Sequence, residues 1–345
     1  MSLLSIGMSG LNAAQGSLSV LSNNIANVNT PGYSRQQTTQ NANANNPYGG
    51  VFIGSGTTLA DVRRVYNEFL DQAYQNSTSL NNDAKAYSSQ ASAIDKTLSD
   101  KTTGMSSVLS AFFAAVQTSS ANPSDVSARQ VLLTSAQTLS NRFNSISNQL
   151  NQQKESINGQ LSTMSDQVNQ LTASIASLNK QITQVQGSSN SAPANLLDAR
   201  NEAVRSLNEL VGVTASEKNG VFSVSTGTGQ SLVLGDQSNT ISAVPSASDP
   251  SQYTIQLNAG GGTAIDLGNV LSGGSIGGLL RYRSDALMPA INDLGRIAIA
   301  TADTVNSQLG QGLDLNGDFG TSLFKDINSA AAIAQRSHCL LYTSP

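Results

Sequence analysis

The stretch Ile157–Val185, INGQLSTMSDQVNQLTASIASLNKQITQV, decides the fold. Ile157, Leu161, Met164, Val168, Leu171, Ile175, Leu178, Ile182 and Val185 follow one another at steps of four and three without a miss. At 3.6 residues per turn such positions fall on one side of an α-helix, and unbroken alternation of this kind is the seam of a coiled coil. Ile146 and Leu150 continue the pattern upstream, so one helix is expected from about 126 to 186. At ~1.5 Å per residue it would be roughly 90 Å long, more than a compact globule can hold. It implies a rod-shaped domain or a bundle. Positions off the seam are mostly Ser, Asn, Gln and Thr, so charge pairing does not select the partner.

Helical spacing extends to both sides. Val62, Val65, Phe69 and Leu70 open a pattern that continues to about Asp100, and Val108, Leu109, Phe112, Phe113 and Val116 form another after a break at Thr102-Thr103-Gly104. Asp125 is a fitting N-cap for the next helix. A loop at Gly187–Pro193 precedes a helix at Leu196–Leu210. From Val213 to Leu267 the texture changes to short alternating runs, Val221–Val224, Ser231–Leu234 and Tyr253–Leu257, separated by Asn-Gly, Gly-Asp and triple-Gly turns. These read as a small antiparallel β domain. Helical spacing returns through Leu287, Ile291, Leu294, Ala298, Val305 and Leu309. The expected fold is mainly α with an inserted small β domain, an elongated helical rod or bundle with long coiled-coil-like helices.

At the N-terminus Leu4, Leu11, Leu18 and Ile25 recur every seven residues, with Gly7, Ala14 and Leu21 in the second seam position. This predicts a helix over residues 3–26 with a narrow apolar stripe. Its glycines each weaken it by about 1 kcal/mol relative to Ala, so it is expected to need a partner. An ordinary core helix would carry the same stripe. Pro31 drives Thr30 out of helical geometry and Gly32 permits positive φ, ending the helix in a turn. The run Gln40–Tyr48 reads as a loop, and Val51 and Ile53 as part of a short strand.

Composition narrows the functions. Only 12% of the 345 residues are charged, against roughly 25% in ordinary domains, so like subunits can approach with little repulsion. Net charge is −4 with no basic cluster, which excludes a nucleic-acid partner. No apolar run approaches the ~18 residues of a membrane span, and no cleavable secretory signal is present. There is no Trp, one Cys and one His; Cys339 and His338 stand side by side in Arg336–Pro345, where the Ser/Asn/Gly/Ala texture is lost. Catalytic triads and zinc sites therefore lack their residues. Asp314–Asp318 begins like a calcium loop, but Phe319 and Lys325 stand where Gly and Glu belong, leaving a polar turn. Asp198, Arg200, Glu202 and Arg205 share one helix and are expected to form solvated pairs. No catalytic residue, cofactor or metal ligand is nominated.

The segment around Asn24, Ala26, Asn27, Thr30, Pro31, Gly32 and Tyr33 resembles the N-terminal signature of the bacterial flagellar rod, hook and hook-associated family. Further segments resemble its hook-filament junction members: Gly50–Ile53, Val62–Arg64, Asn67–Leu70, Ala121–Asp125, Asn195–Asn201, Leu207–Val213, Gly274–Leu280 and Gly312–Gly317. The resemblance spans about residues 1–320. It implies a structural, non-enzymatic subunit of the bacterial flagellum, a tubular layer joining hook to filament, and a role in motility. It implies an extracellular protein exported through the type III apparatus without signal cleavage. Implied partners are copies of itself, the hook protein, the second junction protein and an export chaperone, with no nucleic acid and no membrane insertion. The stripe Leu4, Leu11, Leu18, Leu21 and Ile25 would pair with a C-terminal helix of the same chain. No heptad helix follows residue 320, so a C-terminally truncated chain with a non-native tail is expected. The expected organisation is a terminal assembly helix (1–32), a loop and short-strand connector (33–64), a helical rod domain (65–212), an antiparallel β domain (213–272), a return helix (273–320) and the tail (321–345). Another rod or hook component is an alternative, as is a surface adhesin with a ligand site in 213–270.

Overall fold

A computed structural model of the chain describes residues 3–44, 46–48, 51–98, 104–188, 193–260, 262–314 and 316–325. The elements are, in order, α1 (Leu3–Ala26), β1 (Gln36–Ala42), β2 (Asn46–Tyr48), β3 (Val51–Ile53), β4 (Thr57–Arg64), α2 (Glu68–Leu98), α3 (Met105–Ala121), α4 (Val126–Ser188) and α5 (Ala194–Leu210). There follow β5 (Val213–Lys218), β6 (Val221–Thr226), β7 (Ser231–Leu234), β8 (Gln237–Ser238), β9 (Thr240–Pro245), β10 (Tyr253–Asn258) and β11 (Ile265–Asp266). The last helices are α6 (Gly274–Tyr282) and α7 (Met288–Gly310), joined by one π-helical turn, Arg283–Leu287. The chain is mainly helical with long helices and a small β region, as its periodicities predict. It divides into two compact units, residues 1–80 with 167–240 and residues 81–166 with 241–345, so α2 and α4 each serve both.

The 63-residue α4 buries more than its apolar seam. Leu161, Val168 and Ile175 are fully buried and Ile182 nearly so. Met164, Leu171, Leu178 and Val185 are only half-buried. A polar row one position along from Ile157, Asn158, Ser165, Thr172 and Asn179, is buried in their stead, again at sevenfold spacing. Ser165 and Thr172 satisfy themselves on α4 carbonyls, those of Leu161 and Asn169. The two asparagines reach out to the strands.

In the first unit, α1 lies on the antiparallel pair β1–β4, and β5–β6–β7–β8 form a meander. Asn179 Nδ2 donates to the Gly235 carbonyl in the β7–β8 turn at 2.7 Å. Its core is Val168, Ile175, Ile182, Val204, Leu207, Val224, Leu232 and Val233. In the second unit the sheet order is β11–β10–β9. Asn158 accepts from Tyr253 N–H at 2.9 Å and donates to the Ser251 carbonyl at 3.0 Å. Phe112 and Leu139 centre a cluster with Val108, Phe143, Val305 and Phe324. α6 comes close to α2 through Gly278, where a Cβ would collide with the Asp83 carbonyl oxygen. Arg281 pairs there with Asp83 and covers the Tyr87 ring at 4.6 Å.

Three expectations are corrected. The Gln40–Tyr48 loop and the helical start at Val62 give way to β1 and β4, and α2 begins only at Glu68, where Asn67 Oδ1 accepts from Leu70 N–H at 3.2 Å. β1 reads QQTTQNA, with no apolar alternation to reveal it; backbone pairing from Gln36↔Arg64 to Ala42↔Thr57 makes the strand. Residues 213–266 form two antiparallel sheets, each held by its own asparagine of α4. Of the four α5 charges expected to be solvated, Asp198 and Arg200 are buried, while Glu202 and Arg205 are half-buried and pair with each other at 2.9 Å. Thr102, Thr103 and residues 189–192 of the expected break and loop, and the tail from 326 with His338 and Cys339, lie outside the described residues.

Candidate functional site

α1 is amphipathic in the inverse sense. Leu4, Leu11, Leu18, Leu21 and Ile25 are 77, 61, 62, 53 and 65% exposed. Among its described residues only Ala13 is buried. The small and polar side is what meets β1–β4. At about 100° per residue, Ser9, Ala13 and Gly16 lie opposite the leucine stripe. Ser9 Oγ accepts from Thr57 N–H at 3.2 Å. Ser17 bonds Thr38 at 3.2 Å and accepts from Gln40 at 3.1 Å. Gly56, at φ +94°, lies so close that any Cβ would strike the Ser9 hydroxyl. Polar contacts thus fix the helix while its apolar side stays open.

The corner after α1 explains the motif residue by residue. Asn24 acts as a strand residue in side-chain form: Oδ1 accepts from Gln36 N–H at 2.8 Å and Nδ2 donates to the Gln36 carbonyl at 2.9 Å. Tyr33 OH donates to Asn24 Oδ1 at 2.8 Å. Asn27 bonds back to Asn23, and Thr30 Oγ1 donates to Asn27 Oδ1 at 3.2 Å. Ala26 is the last residue of the helix and Pro31 lies in the turn. Gly32 has φ +77°, and a Cβ there would stand 2.9 Å from Glu202 Cβ. Positive φ and a close approach both demand glycine.

An ionic network then fastens the corner to α5 and α2. Asp198 accepts from Ser34 N–H at 3.1 Å and from Arg64 Nη1 at 2.7 Å, so it holds both strands at one end of the β1–β4 pair. Arg64 covers the Tyr66 ring at 4.8 Å, and Tyr66 OH donates to Asp71 at 2.9 Å. Asp71 also accepts from Gln75 at 2.8 Å and takes two bonds from Arg205, whose third goes to Glu202 at 2.9 Å. Burial first, then the bond to Asp71, pushes the Tyr66 phenol up to about 12. Desolvation, then the Asp198 charge, raises Tyr33. Nearby Arg200 lies under the Phe222 ring at 3.7 Å and pairs with Glu217 at 3.3 Å, and its burial lowers its pKa. Arg64 and Asp198 are 134 positions apart, as are Asp71 and Arg205, so no local spacing announces either pair. The one available signal is the scarcity of charge in a chain that nonetheless places Asp and Arg on helices with apolar faces.

The described residues contain no cluster of His, Cys, Asp or Glu able to hold a metal ion. Asp314 Oδ1 accepts from Asn316 and Asp318 N–H at 2.7 and 3.0 Å, which makes a polar turn. No helix among them is long and apolar enough to cross a membrane.

The outward leucines and the asparagine-pinned corner fall within residues 4–33, which match the family model described as flagella basal body rod protein. Residues 91–324 match that of the flagellar hook-associated protein FlgK helical domain, and the chain belongs to the FlgK family. It is 37% identical to flagellar hook-associated protein 1 of Escherichia coli K12 over 327 residues, 94% of this chain and 60% of that protein. Against its namesake in Bacillus subtilis 168 the identity is 28% over 350 residues, 91% of this chain and 68% of that protein. The solved structure of the flagellar hook junction protein FlgK from Burkholderia pseudomallei matches with a TM-score of 0.67 at 35% identity, over 73% of this chain and 46% of that one. The chain thus spans about three-fifths of the E. coli protein's length.

Proposed function

We propose that this chain is a structural subunit of the bacterial hook-filament junction, exported from the cell and assembled by helix packing into a tubular layer. The observation that carries this reading is the outward apolar stripe of α1 on a polar seat. Exposing five large aliphatic side chains to water is unfavourable by about 1.5–3 kcal/mol for each one left unburied, so the stripe is built for a helical partner. Family membership and the Burkholderia neighbour, a hook junction protein by description, support the same reading. Residues 1–32 serve as the assembly helix and 33–64 as its connector. Residues 65–212, 213–272 and 273–320 serve as rod domain, β domain and return helix. Partners are further copies, the hook protein, the second junction protein, an export chaperone and the type III export apparatus. The role is mechanical and needs no catalysis or cofactor.

The test is Leu11→Asp/Leu18→Asp. Hook tips should lose the protein while far-ultraviolet circular dichroism keeps the helical signal. Normal incorporation of that variant would sink the proposal.

A further inference from the structure

Within the second unit, the path from α6 to α7 changes character at one turn. α6 is fixed: seven of its nine residues are buried. Gly278 lies against the Asp83 carbonyl, and Arg281 pairs with the Asp83 carboxylate. The Tyr282 ring meets Tyr87 edge to face at 5.8 Å between centroids. Arg283, the first residue of the π turn, donates to the Tyr253 carbonyl.

The π turn has a local cause. Met288 N–H donates to the Arg283 carbonyl, five residues back. Pro289 comes next and has no N–H, and in a regular α-helix its ring would collide with the Asp285 carbonyl. A wider turn just ahead of the ring accommodates it at the expense of regular helical bonding. Beyond the turn α7 is loosely built. Gly295 stands in mid-helix with nothing within 4 Å of where its Cβ would lie. No close approach demands glycine there, so the helix is softened without a packing reason. Between α7 and α4 lies a hollow of about 280 Å³ walled by Leu139, Phe143, Ala298, Thr301, Ala302 and Phe324. Protein interiors rarely leave a gap larger than a water molecule. The far end of α7 is held again. Asn306 Nδ2 donates to the Phe324 carbonyl at 2.8 Å, and its Oδ1 accepts from Phe324 N–H at 3.0 Å. Val305 packs on the Phe112 cluster.

We propose that residues 288–301 of α7 form a hinged strap over α4, fixed at α6 and at Asn306 and free to bow at the π turn and at Gly295. In its open position the hollow is present, as in the structure. In its closed position Ala298 and Thr301 descend on Leu139 and Phe143 and fill it. Apolar contact favours closure, and the Pro289 turn resists it, so the two positions are close in free energy. The strap is a property of the free chain, whatever that chain assembles with.

The test is pulsed electron–electron resonance on full-length chain in a Cys339→Ser background. Spin labels go on exposed positions: Gln137→Cys with Arg296→Cys reports the strap, and Asn148→Cys with Ser307→Cys reports the fixed end. The strap pair should show a distance distribution about twice as broad as that of the fixed pair. Pro289→Ala/Gly295→Ala should narrow it to the width of the fixed pair. Gly295→Ala alone, whose methyl enters open space, should narrow it in part and serves if the double variant does not fold. Equal widths for the two pairs in the parent chain, or a strap width that no substitution changes, would overturn the proposal.

Discussion

α1 and α4 carry the same sevenfold apolar spacing and treat it in opposite ways. In α4 the seam residues Leu161, Val168 and Ile175 are sealed inside; in α1 Leu4, Leu11 and Leu18 face water. The difference comes from what each helix offers on its other sides. α4 presents two asparagine amides that bond the backbone of the β regions, and its apolar row is buried beside them. α1 presents Ser, Ala and Gly to a polar strand pair, and that narrow seat fixes the helix with its leucines out. A heptad row therefore establishes a helix and a stripe, but not whether the mate lies in the same molecule.

The sharpest way to break this contrast is to truncate matched leucines. Leu161→Ala should cost about 2–5 kcal/mol in chemical denaturation, the usual loss for a sealed side chain. A loss below about 1 kcal/mol would show that the α4 seam is not sealed. Next comes the anchor. Asp198→Asn leaves the Arg64 charge buried without its partner and should cost about 3 kcal/mol. Amide exchange should quicken at Ser34 while the core of α4 stays protected; uniform loosening would mean that the anchor is not local. Asn24→Ala removes both bonds to the Gln36 backbone and should cost about 1–2 kcal/mol, again confined to the α1 end.

Alkaline titration sharpens the comparison further. The Tyr66 phenol rises from 10.0 to about 12 in the folded chain. A raised pKa contributes stability that is complete below the unfolded value and lost as pH climbs through the folded one. Unfolding free energy should fall between pH 10 and about 12, and Tyr66→Phe should reduce that slope. An unchanged slope would place the proton elsewhere. The smallest folding effect belongs to Leu11→Ala, within about 0.5 kcal/mol of wild type. A loss comparable to that of Leu161→Ala would erase the distinction between the two helices.

Much of this was legible without coordinates of any kind. The span of α1, the length of α4 and the return of helix after the β region follow from spacing, because a period of 3.6 is a local property of the chain. The corner at Thr30-Pro31-Gly32 follows from two residues with restricted or special φ. β1 was not legible, because a strand of Gln, Thr and Asn has no alternation to read. Nor was the fate of Asp198, which looked like one half of a surface pair and instead binds Arg64 and the Ser34 amide.

The sequence by itself determined the helices, the stripes and the family resemblance, since each depends on residues within a few turns of one another. Tertiary structure alone decided which stripe is buried, that the buried side of α4 includes Asn158 and Asn179, and that Arg64 and Arg205 meet their carboxylates. Burial and ion pairing join residues far apart in the chain, and a charge taken out of water must find its partner wherever the fold delivers one.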